Sequence, residues 1–265
     1  MPKKPHILLT NDDGIHAPGL RHLWNALQGF FRISIVAPSS EQSSTGLSIT
    51  TRAPLQMHEV EWCGAERAIS VTGTPADCVK LARHYLPEDP PDLVCAGINR
   101  GSNAGRNILY SGTVGAAIEA IMGGCPSLAF SADFNQPGYE HLETYIASLA
   151  QHVLANPLPA GTLLNVNFPP GTSKGFQGLK LTQQGMQYWS EKPSSHTHPT
   201  EGHTYYWLGS RVLEFDEHEE SDIYWLQRDY ITAVPIHIHS LTDNKHLQEH
   251  KSRFEQLLNE KTNIT

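Results

Sequence analysis

Apolar and polar positions alternate along the first two thirds of the chain so as to predict strands and helices in turn. The run Ile7-Leu8-Leu9-Thr10 stops at Asn11-Asp12-Asp13-Gly14. It reads as a buried strand with a loop just past its carboxyl end. Pro18-Gly19 then opens a helix with Leu20, Leu23, Trp24 and Leu27 at i, i+3, i+4, i+7 spacing. Residues 33–37 form a second strand, closed by Pro38 and followed by a Ser-rich polar loop, 39–46. Residues 47–68 read as extended pieces around Pro54. A strand at 69–71 leads to Thr74, suited to an N-cap, with Pro75 and Asp77 at the first and third helical positions. That helix places Cys78, Leu81, Ala82 and Tyr85 on one face. The buried strand 92–98 runs into Asn99-Arg100-Gly101-Ser102-Asn103-Ala104-Gly105, and Ser111-Gly112-Thr113 starts a helix with Val114, Ala117, Ile118 and Ile121 facing inward. A strand at 127–130, a helix near 138–155 (Leu142, Tyr145, Ile146, Leu149, Val153) and a strand at 162–168 complete the alternation.

This pattern implies an α/β fold, a Rossmann-like three-layer mostly parallel sheet wrapped by helices. Every polar, glycine-containing segment follows a strand, so these segments share one sheet edge, where open α/β sheets bind ligands. From about residue 170 the texture changes. Strands at 179–182, 205–208 and 231–238 are separated by polar segments, which predicts an antiparallel extension or β-arm, and a weaker helix spans 247–258. Residues 1–170 are therefore expected to form a metal- and phosphate-binding core. Residues 171–265 are expected to form an oligomerisation extension of the same domain.

Composition narrows the classes. With 39% hydrophobic and 17% charged residues over 265 positions, a sizeable core is possible and wholesale disorder is excluded. The net charge of −8 argues against broad binding to nucleic-acid backbones. It leaves room for a small phosphorylated ligand, because a cation and backbone amides supply local positive character. Cys63, Cys78, Cys95 and Cys125 lack Cys-x-x-Cys spacing and are expected as free thiols, three of them buried. The amino terminus has no signal-like apolar region, and no run approaches a membrane span, so a cytoplasmic protein is expected.

The candidate chemistry lies in the post-strand loops. Two neighbouring carboxylates, Asp12 and Asp13, repel unless a cation sits between them or one holds a proton. A hard divalent metal satisfies them through oxygen; a solvated turn is the plain alternative. Asn99 and either Ser43 or Ser44 can offer further oxygens to that cation, or serve only as turn residues. Asn103 with Ser111-Gly112-Thr113 at a helix start makes an anion cradle, compatible with ordinary N-capping. Other features point to structure. His196-x-His198 with His203, and His237-x-His239, lack a carboxylate partner at zinc-enzyme spacing, so no transition-metal site is expected. The acidic run 214–222 reads as a solvated loop. Trp189, Tyr205, Tyr206 and Trp207 read as interface aromatics rather than base-stacking ones.

In order along the chain, several blocks resemble the SurE family of metal-dependent nucleotidases (stationary-phase survival proteins). They are Asn11-Asp12-Asp13-Gly14 with His16-Ala17-Pro18-Gly19, Val36-Ala37-Pro38 with its Ser-rich loop, Gly73-Thr74-Pro75-Ala76-Asp77-Cys78, Gly97-Ile98-Asn99-Arg100-Gly101-Ser102-Asn103, and Tyr110-Ser111-Gly112-Thr113-Val114. The likeness continues more faintly through Leu164-Asn165-Val166-Asn167. It implies a phosphatase for nucleoside monophosphates using one Mg²⁺ or Mn²⁺ per subunit, with 3′-nucleotidase and exopolyphosphatase activity as further candidates. By the same likeness the metal ligands fall on Asp12, Asp13, Ser43 and Asn99, and the phosphate contacts on Asn103, Ser111, Gly112 and Thr113. Ser43 is placed by counting five residues from Pro38; Ser44 is the adjacent alternative. Asp12 or Asp13 is expected to activate the attacking water, an aspartyl-phosphate being the rival mechanism. The family's carboxyl-terminal arms exchange between subunits, which implies a homodimer or homotetramer. A non-catalytic nucleotide sensor built on the same site is the rival function.

Overall fold

The computed structural model describes residues 3–86, 88–133, 139–170, 175–190, 192–208, 211–213 and 215–262. Gly138 and Glu214, the ends of two segments predicted above, lie outside the described residues. In chain order the elements are β1 (His6–Thr10), α1 (Pro18–Leu27), β2 (Arg32–Pro38), β3 (Met57–Glu59), β4 (Arg67–Val71), α2 (Pro75–Tyr85), β5 (Leu93–Arg100), α3 (Gly112–Met122), β6 (Ser127–Ala132), α4 (Glu143–Ala155) and β7 (Thr162–Phe168). There follow β8 (Gly178–Leu181), β9 (Tyr188–Ser190), β10 (Ser194–Thr197), β11 (Thr204–Trp207), β12 (Arg211–Leu213), α5 (Asp222–Leu226), β13 (Tyr230–His237) and α6 (Asn244–Thr262). Short 3₁₀ segments at Gly105–Leu109 and Glu140–Leu142 precede α3 and α4.

Nine strands form one sheet in the order β3-β4-β2-β1-β5-β6-β7-β13-β8. The run from β4 to β7 is parallel throughout, while β3 and β13 pair antiparallel to their inner neighbours. Counting the parallel strands alone, the order is 3-2-1-4-5-6, that of a doubly wound Rossmann sheet, with its switch point between β1 and β5. The chain leaves β1 toward one side and β5 toward the other, so a crevice opens beyond their carboxyl ends.

Alternation within the strands separates two cores. Ile7, Leu9, Ile33, Ile35, Leu93 and Cys95 face α1 and α4, packing on Leu20, Leu23, Leu27, Ile146 and Ala150. Leu8, Val36, Val94 and Ala96 face the other way, onto Cys78, Val79 and Ala82 of α2 and Ala116 and Ala120 of α3. A strand covered on both faces reads as a continuous apolar run, which is why these strands stand out in the sequence. Tyr85 and Tyr145, which share the apolar period of α2 and α4, are exposed, while Val79 is buried beside Cys78 and Ala82. The α2 start follows its sequence: Thr74 accepts from Asp77 N while Asp77 accepts from Thr74 N, a reciprocal capping box.

Two of the three late strands join the main sheet: β13 pairs with β7, and β8 pairs with β13. The third, β11, pairs with β10, and β9 with β12, in successive antiparallel ladders of one long hairpin, here called the arm. Every residue of β10 and β11 is exposed.

One register change matters for the site. Ala96 pairs with Ala129 but Asn99 pairs with Ser131, so β5 carries one extra residue against β6. This bulge re-aims the end of β5, where Asn99 stands. The bulge also receives α1: a Cβ added at Gly19 would lie 2.0 Å from Ile98 O. Replacing a helical glycine by alanine ordinarily stabilises by roughly 1 kcal/mol. Gly19→Ala is expected to reverse that sign, lowering stability by about 1–3 kcal/mol through overpacking against backbone. Chemical denaturation measures it directly.

Candidate active site

Asp12 and Asp13 follow β1 at the switch point. Asp12 is 4% exposed, and its Oδ1 accepts a short hydrogen bond from Thr113 Oγ1 at the first turn of α3. The Thr113 backbone N–H adds a second donor. A carboxylate thus sits at the amino end of a helix, where unsatisfied N–H groups and the dipole favour negative charge. The approach is close enough to require a residue without a side chain. A Cβ at Gly112 would fall 2.9 Å from Asp12 Cβ.

Burial pushes the Asp12 carboxyl above the ordinary carboxylate range, more than its hydrogen bonds pull it down. Asp13 is half-buried, its Oδ2 accepting from Arg100 N at 3.3 Å. Its pKa is pushed up to about 6, first by burial and then by the neighbouring Asp12 charge. Two carboxylates held out of water side by side are the electrostatic problem that a bound cation solves.

The Ser-rich loop is fastened over this pair by backbone. Gln42 N donates to Asp12 O at 2.7 Å and Gly46 N to Tyr110 O at 3.0 Å. Ser43 Oγ donates to Glu41 Oε1 at 2.5 Å, which leaves its lone pairs available, while Ser44 sits at φ 60°. From the β5 bulge, Asn99 Nδ2 donates to Gly101 O at 2.7 Å, leaving Oδ1 as an acceptor.

The sequence-predicted residues converge incompletely. Asp12, Ser43, Ser44, Asn99, Asn103 and Ser111 line one polar cavity of about 180 Å³, walled further by Arg100, Asn107, Tyr110 and Trp189. Asp13 lines a neighbouring cleft of about 420 Å³ with Glu41, Arg100, Asp133 and Tyr139. The two carboxylates therefore stand on the partition between two openings. Ser111 caps α3 by accepting from Val114 N at 3.1 Å, so its own O–H is left to donate. Asn103 Nδ2 gives one hydrogen to Ser131 Oγ at 2.7 Å and keeps another. Thr113 is fully buried, and its hydroxyl serves Asp12 rather than lining the cavity.

Three groups of supporting residues escaped the sequence reading. Asn167 Oδ1 accepts from Asn103 N at 2.7 Å and Asn165 Nδ2 donates to Asn103 O at 2.9 Å, so β7 holds the 101–104 loop from beneath. The available signal is a pair of amides at i, i+2 in an otherwise apolar strand. The acidic run is not simply a solvated loop. Asp222 is fully buried and accepts from Gly105 N (3.0 Å), Gly185 N (2.8 Å) and Ile223 N (2.8 Å), while Glu217 accepts from Met186 N and Gln187 N. Trp189, expected at an interface, is a wall of the cavity, its N–H donating to Asn107 Oδ1 at 2.9 Å.

The sequence profile of the family described as survival protein SurE matches residues 7–191. The chain belongs to the SurE family. It is 49% identical to a protein named 5′-nucleotidase SurE from Protochlamydia amoebophila (strain UWE25), over 98% of this chain and 100% of that one. A second, of the same name, from Syntrophobacter fumaroxidans is 43% identical over 89% of this chain and 94% of the relative. The SurE crystal structure from Aquifex aeolicus superposes with a TM-score of 0.79 at 36% identity, covering 94% of this chain and 99% of that one. The SurE match includes every loop that builds the carboxylate site.

In metal-free protein Asp13 is most readily ionised only above about pH 6. Below that pH a proton competes with a cation, and Mn²⁺ affinity is expected to fall about tenfold per pH unit. Folding of the metal-free chain is opposed as pH rises from the unfolded carboxylate value through about 6, because the native pKa is raised. The Mn²⁺-induced rise in Tm should accordingly be large at pH 8 and small at pH 5. Thr113→Val removes the Asp12 donor with little change in volume. It is expected to cost about 1–3 kcal/mol in stability and to weaken Mn²⁺ binding, both read by titration and denaturant unfolding.

Proposed function

We propose that this chain is a 5′-nucleotidase, a phosphoric monoester hydrolase that uses a divalent cation to release phosphate from nucleoside monophosphates. The observation that carries the reading is the meeting of Asp12, a serine hydroxyl, the Asn99 amide and the α3 amino end around one polar cavity, with Asp13 on its border with the neighbouring cleft. The donor set is oxygen throughout and carries two negative charges, which fits Mg²⁺ or Mn²⁺. Asp12, Asp13, Ser43 and Asn99 would hold the ion. The Ser43–Glu41 hydrogen bond favours Ser43 over Ser44, because it spends the hydroxyl proton and turns lone pairs outward. When bound, the cation supplies Lewis-acid polarisation of a phosphoryl oxygen and acidifies water.

This chain's residues supply the remainder. Asn103 and Ser111 each keep a donor for phosphoryl oxygens, and Gly112 lets the α3 N–H groups approach them. Asp12, committed to Thr113, is the fixed charge of the pair. Asp13 is the less buried, and we assign it the proton of the attacking water. The P–O ester bond breaks as the water oxygen bonds to phosphorus, and that proton returns to the leaving nucleoside oxygen. Tyr110 and Trp189 offer aromatic surface for the nucleoside.

The exposed Tyr206, Trp207 and Leu208 support association of subunits through the arm as a homodimer or homotetramer. Free cysteines, including the exposed Cys63, fit a reducing, cytoplasmic setting. Among the described residues no helix is long and apolar enough to cross a membrane.

Metal-stripped protein is expected to be inactive on a chromogenic phosphate ester and on 5′-nucleotides, and to regain turnover with Mn²⁺. Asp12→Asn is expected to lower kcat by at least about 100-fold in saturating Mn²⁺, on the scale of removing one preorganised charge-stabilising group. Near-wild-type turnover by that variant would remove Asp12 from the centre of the mechanism. Nucleotide binding without turnover under any metal would mean a sensor instead. Running 3′-nucleotides and polyphosphate beside 5′-nucleotides defines the substrate range.

A further inference from the structure

Away from the carboxylate pair, among the described residues, two groups of His, Asp and Glu side chains bring three ligand atoms within 4.8 Å of one another. One group, His6, Glu66 and Asp89, already has its cation. Arg32 donates to both carboxylates, and the His6 ring nitrogens face Asp89 O and Ser34 Oγ, each at 2.9 Å. The other group, His198, Glu201 and His203, occupies the tip of the β10–β11 hairpin.

Hairpin register places these residues together. Thr197 pairs with Thr204, and the ladder continues in step because His198 N donates to His203 O at 2.8 Å. Directly opposed residues of an antiparallel pair project from the same face, so the two imidazoles meet, their ring centroids 4.9 Å apart. Glu201 comes from the turn between them. Its Oε2 lies 3.2 Å from His203 Nδ1.

We propose that His198, Glu201 and His203 form a transition-metal site, suited to Zn²⁺, at the tip of the arm. Two imidazoles and a carboxylate make the three-ligand set that zinc accepts while keeping a fourth position for water. Nitrogen donors separate this site from the oxygen-only site at Asp12 and Asp13, which suits Mg²⁺ or Mn²⁺. Donors around tetrahedral zinc stand about 3.4 Å apart. Closing the group from 4.8 Å takes rotation of side chains that are half-buried or exposed, on a backbone the hairpin has already set. His198 Nδ1 accepts from Glu201 N at 3.1 Å and stands 3.2 Å from Thr200 Oγ1, so its lone pair points into the turn, where a metal would displace those donors. All three ligands lie within residues 198–203, so the site is complete in one chain whatever the assembly. Sequence spacing hid the carboxylate, because Glu201 reaches the imidazoles only through the turn.

The test is calorimetric titration of the full chain with Zn²⁺ in saturating Mg²⁺, comparing wild type with His203→Ala and with His198→Ala/His203→Ala. Wild type is expected to take up one equivalent more than the double variant, and His203→Ala to bind that equivalent at least about tenfold more weakly. Far-UV circular dichroism should be unchanged, since both residues flank a surface turn at the end of an exposed two-stranded ladder. Equal Zn²⁺ stoichiometry in wild type and double variant overturns the proposal, as does wild type that takes up no Zn²⁺.

Discussion

Two adjacent carboxylates withheld from water are the constraint around which this molecule is arranged. Burial disfavours the charge on both, and Asp12 adds to that cost on Asp13. The α3 amino end answers part of that cost through the Thr113 hydroxyl and N–H, but leaves the pair short of positive charge. Besides Arg100 and Glu41, which carry opposite charges, the groups gathered there are neutral: the Ser43 hydroxyl, the Asn99 amide, the Ser111 hydroxyl. The polypeptide has therefore built a place whose natural complement is a small hard cation beside an anion. A folding optimum alone would have no reason to keep both acids.

That constraint spreads outward through close backbone approaches. Asp12 can reach α3 because residue 112 has no side chain, and the Ser-rich loop is pinned to both Asp12 O and Tyr110 O. The β5 bulge then sets Asn99 on the opposite side of the crevice, while α1 packs on the bulge itself. A displacement of α1 would thus be felt at Asn99, although α1 contributes no ligand. The same logic places Asn165 and Asn167. Amides buried in β7 are costly unless paired, and one end of each, Asn167 Oδ1 and Asn165 Nδ2, pairs with the backbone that carries Asn103.

What could be read from the sequence follows from the range of the interactions involved. The doubly covered strands and the α1 stripe announce themselves because burial imposes a local period. Thr74, Pro75 and Asp77 were legible because a cap is written within four residues. Asp12, Ser43, Asn99 and Ser111 were legible as a set only because each follows a strand and the topology sends all strand ends to one edge. The Thr113 hydroxyl's bond to Asp12 was not legible, because the two lie 101 positions apart. Trp189, Asp222 and Glu201 depend on turns and docking that no periodicity encodes. The exposed Tyr85 shows the converse, a residue that fits the apolar period but lies where the neighbouring helix gives no cover.

Asp222 carries the strongest argument that the arm belongs to the site. It is fully buried, and its two oxygens accept N–H groups from Gly105, the first residue of the cavity's 3₁₀ turn, and from Gly185, at the root of the arm. Gln187 O receives Arg106 N at 2.8 Å, and Asn107 Oδ1 receives Trp189 N at 2.9 Å. The arm root is thereby bonded residue by residue to the segment that presents Asn107 and Tyr110 to the cavity. A buried carboxylate satisfied only by backbone donors from separate segments holds them in fixed relation, because releasing any one strands a charge away from water. Movement of the arm root is accordingly transmitted to Trp189. What looks in sequence like an appendage is one wall of the cavity.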